Sequence, residues 1–185
     1  QTWVALPEAE EETAPAFHHH GADDIPTITD GGLSLRLIAG EMQGVRSPLQ
    51  AASETLYADC SLERGGRFQI EASHEERALY ILSGALSVEG MEHGDSTLLI
   101  LRSGVPVEVQ ATESARFMLF GGEPMEGPRY IWWNFVSSRL ERIEQAKEEW
   151  RQGRFDTVPG DEEDFIPLPK DNTKPRRSTG GRAFE

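Results

Sequence analysis

The sequence predicts an all-β domain, built as a sandwich or a barrel, followed by one amphipathic helix. Short segments of alternating apolar and polar residues recur at intervals of about 8–12 residues, and turns that contain glycine separate them. After the last of these segments, apolar residues recur at helical spacing. At 185 residues the chain is long enough for one substantial core with appendages, whereas two full domains would be cramped.

An arm precedes the predicted domain. Residues 1–6 alternate as a short strand that Pro7 ends, and the acidic run 8–12 indicates a solvated loop. Three histidines follow, at 18–20. Because neighbours on a strand point to opposite faces, at most two of them could share a metal ion. We interpret them as part of a surface loop with incidental metal affinity.

Eight segments between residues 27 and 120 have the composition of strands. They are 33–38, 56–62, a strand from Phe68 that leads to His74, 79–82, 85–88, 97–101, 105–109 and 115–120. The two segments on either side of Ser83-Gly84 are predicted to form a hairpin. Cys60 lies in an alternating segment, where a free cysteine is usually a small buried hydrophobe. Of the paired Trp132 and Trp133, we expect one in the core and the other against the helix or a partner domain.

The predicted helix covers residues 138–152. Ser138, with Glu141 three residues later, has the form of a capping box, and Gly153 supplies a stop. The apolar stripe that should pack on the barrel consists of Leu140, Ile143, Ala146 or Lys147, and Trp150.

Charge and cysteine content exclude several classes of partner. The formal net charge is −14, from 32 acidic and 18 basic residues. Such a surface repels phosphate backbones and anionic lipids, so we expect neither a nucleic-acid nor a membrane partner. The single cysteine excludes an intrachain disulfide and favours a reducing compartment, which makes the cytoplasm the expected location.

Two runs are specific enough to suggest kinship: Gly121-Gly-Glu-Pro124 and Trp132-Trp-Asn-Phe-Val-Ser-Ser-Arg139. Further matching segments lie at 1–7, 17–19, 36–48, 78–84, 117–120, 130–131, 141–146 and 153–155. Over roughly residues 1–169, the chain resembles the C-terminal half of pirin-like proteins, which carry two cupin domains in one chain.

The resemblance implies a cupin-type double-stranded antiparallel β-barrel, jelly-roll-like, with one C-terminal amphipathic helix. Combined with the pattern above, it predicts four segments. They are an N-terminal strand and linker arm at 1–26, the barrel at 27–136, the helix at 137–155 and an extended polar tail at 156–185.

The resemblance also implies a function for a longer protein. Pirin-like proteins bind one iron or similar divalent metal in their N-terminal cupin. Some have quercetin 2,3-dioxygenase activity, and others are described as metal-dependent transcriptional co-regulators. No segment here matches the metal-bearing half, so we expect that half to precede Gln1. This chain is expected to hold no cofactor and to be inactive alone, while the full protein would act on a small aromatic substrate.

The metal motif can be tested from the residues. A cupin site needs a His-x-His pair, because residues two apart on a strand share a face, followed by a Glu and a later His. Such mixed imidazole and carboxylate sets suit non-haem iron. Aligning the glycines at 66 and 84 places Ala72 and His74 at the His-x-His positions. Around the glutamate position stand Glu76, Arg77 and Ala78.

The last ligand position falls on or near Val107, so one imidazole of three survives. We therefore predict no catalytic, cofactor or metal site in this chain, with His74 and Glu76 as vestigial candidates. His74 is expected at the barrel rim, hydrogen-bonded to one of the residues 75–77. The functional alternative is a vestigial ligand or a polar anchor in a small-molecule pocket.

A second set of polar residues, His93 with Glu92 and Asp95, falls in a predicted hairpin turn at 90–94 and is interpreted as solvated. An autonomous metal-dependent enzyme would need His74, Glu76 and His93 together, which ranks last among the hypotheses.

Two kinds of partner remain open. A metal-free cupin that has lost its other half should expose an apolar surface, which its own N-terminal cupin or a homodimer partner would cover. Alternatively, the chain is a non-catalytic regulatory module that binds another protein rather than DNA.

Overall fold

The computed structural model describes residues 1–170 and 174–178, which fall into two compact units. Residues 14–124 form the β unit, and residues 1–13 with those from 125 onward form the helix unit. Parts of the predicted polar tail, residues 171–173 and 179–185, lie outside the described residues. No helix in the described part of the chain is long and apolar enough to cross a bilayer.

The β unit consists of two main antiparallel sheets. One has six strands in the order β1-β2-β5-β12-β7-β10, and the other has four in the order β6-β11-β8-β9. A small β3-β4 hairpin stands apart. The strands are β1 (Thr27–Asp30), β2 (Leu33–Ala39), β3 (Glu41–Met42), β4 (Val45–Arg46), β5 (Thr55–Leu62), β6 (Arg67–Ile70), β7 (Glu76–Ser83), β8 (Leu86–Val88), β9 (Met91–His93), β10 (Leu98–Leu101), β11 (Val107–Ala111) and β12 (Ala115–Gly122).

The core lies between the inward faces of these strands. Burial alternates along β2, where Leu35 and Leu37 are fully buried, and along the first six residues of β12, where Phe117 and Leu119 are fully buried. The two antiparallel sheets with this alternation confirm the predicted all-β architecture. Each such side chain contributes roughly 1.5–3 kcal/mol by leaving water, so the inward stripes dominate the stability of the unit.

The predicted hairpin around Ser83-Gly84 is wrong. β7 pairs with β12 and β10 in the six-stranded sheet, whereas β8 pairs with β11 and β9 in the four-stranded sheet. Gly84 therefore turns a corner between sheets. Its φ is +78°, and a Cβ there would lie 2.1 Å from the Ser114 carbonyl oxygen, so only glycine fits.

The helix unit contains three short strands and one helix. They are β13 (Tyr130–Trp132), β14 (Phe135–Ser137), α1 (Leu140–Arg151) and β15 (Arg176–Arg177). The strand order is β14-β13-β15, and α1 packs against β13 and β14. Residues 1–6, for which alternation predicts a strand, form none. Trp3 and Val4 are both more than half exposed, so neither of the two alternating sets of side chains is buried against a core.

Aromatic side chains hold α1 to the strands. Trp132 is buried and stacks on Phe135, with ring centroids 6.1 Å apart. Trp133 makes an edge-to-face contact with Trp150 of the helix at 5.3 Å. The expectation of one core tryptophan and one against the helix is confirmed, although Trp133 lies in the β13–β14 turn with φ +50° rather than on a strand.

The predicted capping box does not form. Arg139 is the N-cap residue and its side chain makes no capping hydrogen bond. Instead the carboxylate of Glu11 accepts hydrogen bonds from the Ser138 amide at 2.7 Å and from the Ser137 and Ser138 hydroxyls. Glu11 also pairs with Arg129 at 2.9 Å, and both side chains are buried. A residue distant in sequence thus anchors the start of the helix.

Replacing Glu11 by alanine should lower the free energy of unfolding by about 3–5 kcal/mol, because the Arg129 guanidinium would stay buried without its counter-charge. Urea denaturation measures this. The control is Glu8→Ala, at an exposed residue of the same arm, which should change stability by under about 0.5 kcal/mol. Equal midpoints for the two variants would show that the arm is not held by this ion pair.

Candidate functional site

The residues around the motif's glutamate position face different sides of β7. Arg77 shares the inward face with Leu79 and Ile81, and all three are at most 2% exposed. Glu76 is exposed at the start of the strand, and Ala78 lies on the outward face. The inward position therefore holds a guanidinium rather than a carboxylate.

The Arg77 guanidinium connects two loops. It donates hydrogen bonds to the carbonyl oxygens of Glu71 at 2.7 Å and Val105 at 2.9 Å, and also to that of Arg102. Its Nε is buried without a hydrogen-bond partner among the described residues. Burial lowers the pKa of Arg77 from its usual value, but a guanidinium remains protonated in proteins. A fixed positive charge thus joins the segments before β7 and before β11.

Replacing Arg77 by methionine should lower the free energy of unfolding by about 3 kcal/mol or more, because three carbonyl oxygens lose a charged donor. The matched control is Arg67→Met on β6, whose side chain is 60% exposed and pairs with Glu108 at the surface. That change should cost under about 1 kcal/mol. Equal losses in urea titrations of the two variants would contradict the cross-linking role.

His74 is more enclosed than the sequence predicts. It is 6% exposed and lies in the loop before β7. Its Nδ1 is 3.1 Å from the Ser73 hydroxyl, and its Nε2 is 3.7 Å from Oε1 of Glu54. The expected partner was one of residues 75–77. The structure instead gives a neighbour that only the tertiary fold brings near.

His93 does not lie in a turn. The turn is formed by Glu89 and Gly90, both with positive φ, and β8 and β9 pair from Val88 and Met91 outward. The sequence predicted a five-residue turn, but the turn has two residues, so the strand β9 already begins at Met91. His93 is therefore the last residue of β9 and lies opposite Leu86.

The other candidate ligands are dispersed. Glu92 and Asp95 are exposed, as are His18 and His19 in an irregular segment. Within residues 1–170 and 174–178, no three or more His, Cys, Asp or Glu side chains are grouped so that they could hold a metal ion.

Cys60 is fully buried on β5. Burial, with a smaller contribution from the neighbouring Asp59 carboxylate, raises the pKa of the thiol well above its usual value. It is therefore a core side chain and no nucleophile, as predicted.

An open cleft of about 1240 Å³ lies beside His74. Its walls come from three segments of the β unit: the β3–β4 hairpin, the loop that leads into β5, and residues 71–74. Glu54 is the residue that sequence reasoning missed. The feature of the sequence that could have indicated Glu54 is the glycine pair 121–122. In the structure a Cβ on Gly122 would lie 2.1 Å from the Glu54 carbonyl oxygen, so the glycine allows the Glu54 backbone to approach.

Residues 57–156 match the family model for the pirin C-terminal cupin domain. The chain belongs to the pirin family. A pirin-like protein of Caulobacter vibrioides is 44% identical over 171 residues, which cover 92% of this chain and 59% of that protein. Mouse pirin (Mus musculus) is 27% identical over 161 residues, or 83% of this chain and 56% of that protein. The chain thus spans a little over half the length of these curated pirins.

The fold agrees with a solved structure of the same class. A crystal structure of quercetin 2,3-dioxygenase from Acinetobacter baumannii superposes with a TM-score of 0.81 at 27% identity. The match covers 95% of this chain and 59% of that one. The expected pirin kinship and cupin fold are confirmed, and this pirin chain is related to quercetin 2,3-dioxygenases.

Proposed function

We propose that this chain is the metal-free C-terminal cupin of a pirin and supports a second cupin that holds iron or a similar divalent metal. Any quercetin 2,3-dioxygenase-type reaction on a small aromatic substrate would take place in that second cupin. The observation that carries this proposal is Arg77, whose charge fills the inward position where the motif requires a carboxylate.

Electrostatics explains why the residues present do not fit a metal. A divalent ion roughly 4 Å from a guanidinium, at an effective dielectric constant of about 20, would be repelled by roughly 8 kcal/mol. The other motif positions offer no compensation, because residue 72 is alanine and Val107 is a buried core residue. His74 alone cannot form the three- or four-ligand set that iron needs.

The metal-free role predicts that the chain, purified after growth in iron-rich medium, holds less than about 0.1 equivalent of iron and does not consume quercetin. Elemental analysis measures the iron content, and the absorbance of quercetin measures its consumption. A protein known to hold one equivalent of iron, taken through the same growth and purification, serves as the positive control for metal recovery. One full equivalent of iron in the unmodified chain, lost on His74→Ala, would overturn the proposal.

The partner cupin would need a surface to dock on, and the six-stranded sheet offers one. Strand register places six apolar residues on its outward side, here called the apolar outer face: Tyr80, Leu82, Leu98, Ile100, Met118 and Phe120. Leu98 is 52% exposed and Ile100 is 61% exposed. Contiguous exposed apolar residues on a sheet are typical of protein-binding sites.

Charged residues border this face on the side of β2 and β5. Arg116 forms a bidentate pair with Asp59 at 2.7 and 2.9 Å, and Arg36 lies opposite Asp59 in the strand register. The Arg116 guanidinium, through its hydrogen bonds, holds the pKa of Asp59 below its usual value, so the carboxylate is charged near neutral pH. An apolar centre with a charged border is the usual anatomy of a protein interface. It supports the second cupin, or a second copy of this chain, as the partner.

Placing lysine at both Leu98 and Ile100 should abolish self-association of the isolated chain, because the charges cannot be buried against an apolar surface. Light scattering measures the mass. The unmodified chain should form a concentration-dependent dimer, and the control Ser34→Lys, on the polar end of the same sheet, should leave it intact. A strict monomer for the unmodified chain at high concentration would count against the docking surface.

A further inference from the structure

Strand β10 forms one edge of the six-stranded sheet, where β7 is its neighbour. In the described part of the chain no strand pairs with its other side. Leu98 is 52% exposed and Ile100 is 61% exposed, so two large apolar side chains stand at an open sheet edge. Such an edge is a template on which another strand can pair.

The other three edges of the two main sheets carry polar side chains. The exposed residues of these edge strands are Thr27, Thr29 and Asp30 on β1, Arg67 and Gln69 on β6, and Met91 and Glu92 on β9. Polar and charged side chains are the usual protection of an edge strand against pairing. All four residues of β10 are apolar, so this edge lacks that protection.

The pairing of β10 with β7 determines which of its backbone groups face outward. The Ile81 amide of β7 donates to the Thr97 carbonyl oxygen at 2.9 Å, so the backbone groups of Thr97 face β7. Successive residues of an antiparallel strand direct these groups to alternate sides, so Leu99 also faces β7. The amides and carbonyl oxygens of Leu98 and Ile100 therefore point away from the sheet.

Opposite charges stand just outside the two ends of this edge. Asp95 precedes β10 and Arg102 follows it, and both residues are exposed. Neither side chain takes part in an ion pair with another described residue. A strand with one negative and one positive end is complementary to an antiparallel copy of itself, whereas a parallel copy would bring like charges together. Charge complementarity thus favours a second copy of this chain as the partner.

We propose that β10 pairs with β10 of a second copy, antiparallel and around a two-fold axis that passes beside Leu99. Leu98 then lies opposite Ile100 of the second copy, and the symmetric pair forms on the other side of the axis. The two pairs together exchange four backbone hydrogen bonds, because their amides and carbonyl oxygens are the ones that face outward. The inference rests on the docking surface proposed above and names the strand through which a second copy occupies it.

The apolar side chains select this register. A shift by two residues would place Leu98 opposite Arg102 or Ile100 opposite Ser96, and a shift by one residue would turn inward-facing side chains to the outer side. In the chosen register Arg102 lies beside Asp95 of the second copy, so both ends of the pairing gain an ion pair.

Hydrogen exchange followed by NMR tests the pairing on the 185-residue chain, at concentrations below and above the midpoint of dimer formation. The amides of Leu98 and Ile100 should exchange at least about tenfold more slowly in the dimer, because each gains a backbone acceptor. The control is Thr29 on β1, whose amide points outward at the opposite edge of the same sheet and should exchange equally at both concentrations.

The outcomes separate this inference from the proposals above. A dimer in which the amides of Leu98 and Ile100 stay unprotected would overturn the edge pairing and leave docking by the apolar outer face. A strict monomer would overturn the edge pairing together with the docking surface. The metal-free role is decided separately, by the iron content of the chain.

Charge reversal tests the antiparallel register. Asp95→Arg and Arg102→Asp should each raise the dissociation constant of the dimer by about fivefold or more, because each places like charges side by side across the axis. An equimolar mixture of the two variants should dimerise like the unmodified chain, since the mixed dimer restores both ion pairs. Analytical ultracentrifugation at low salt, where surface charges are least screened, measures all samples.

The matched control is Asp30→Arg at the opposite edge of the sheet, which changes the net charge equally and should leave the dissociation constant unchanged. A mixture of the two charge-reversed variants that associates no better than either variant alone would refute the antiparallel pairing.

Discussion

The guanidinium of Arg77 is the constraint on which the inner end of the β unit depends. A charge that is 2% exposed is tolerated only where most of its donors are satisfied, and here backbone carbonyls of two loops accept hydrogen bonds from Nη1 and Nη2. The loops before β7 and before β11 are also the segments that the cupin motif would join through a metal. In this chain Arg77 joins these two loops through its hydrogen bonds, and Val107 is a buried core residue.

Close approach of backbones is the second determinant, and glycines permit it. Added Cβ atoms would lie 2.0 Å from the Glu76 carbonyl oxygen at Gly121 and 2.1 Å from the Glu54 carbonyl oxygen at Gly122. β12 is therefore flanked tightly by β5 and β7 where both begin. The same packing that closes the sheet brings Glu54 to His74, so the architecture and the polar cleft have a common cause.

The sequence predicted the strands better than their partners. Alternation marks which residues face inward, and β2, β5 and β12 lie within one or two residues of the predicted segments. Alternation carries no information about which strand lies alongside, so the corner at Gly84 was predicted as a hairpin. The same limit applies to Glu11 and Glu54, whose roles at the helix start and beside His74 depend on contacts with residues far away in sequence.

The side chains of the cleft and of Cys60 bear on which chemistry the described residues offer. A ligand in the cleft would meet carboxylates, an imidazole and hydroxyls of the described residues. Cys60 offers no nucleophile, because burial raises the pKa of its thiol. Under the proposed function, this cupin contributes its apolar outer face as a docking surface, while oxidation takes place at a metal held by other residues.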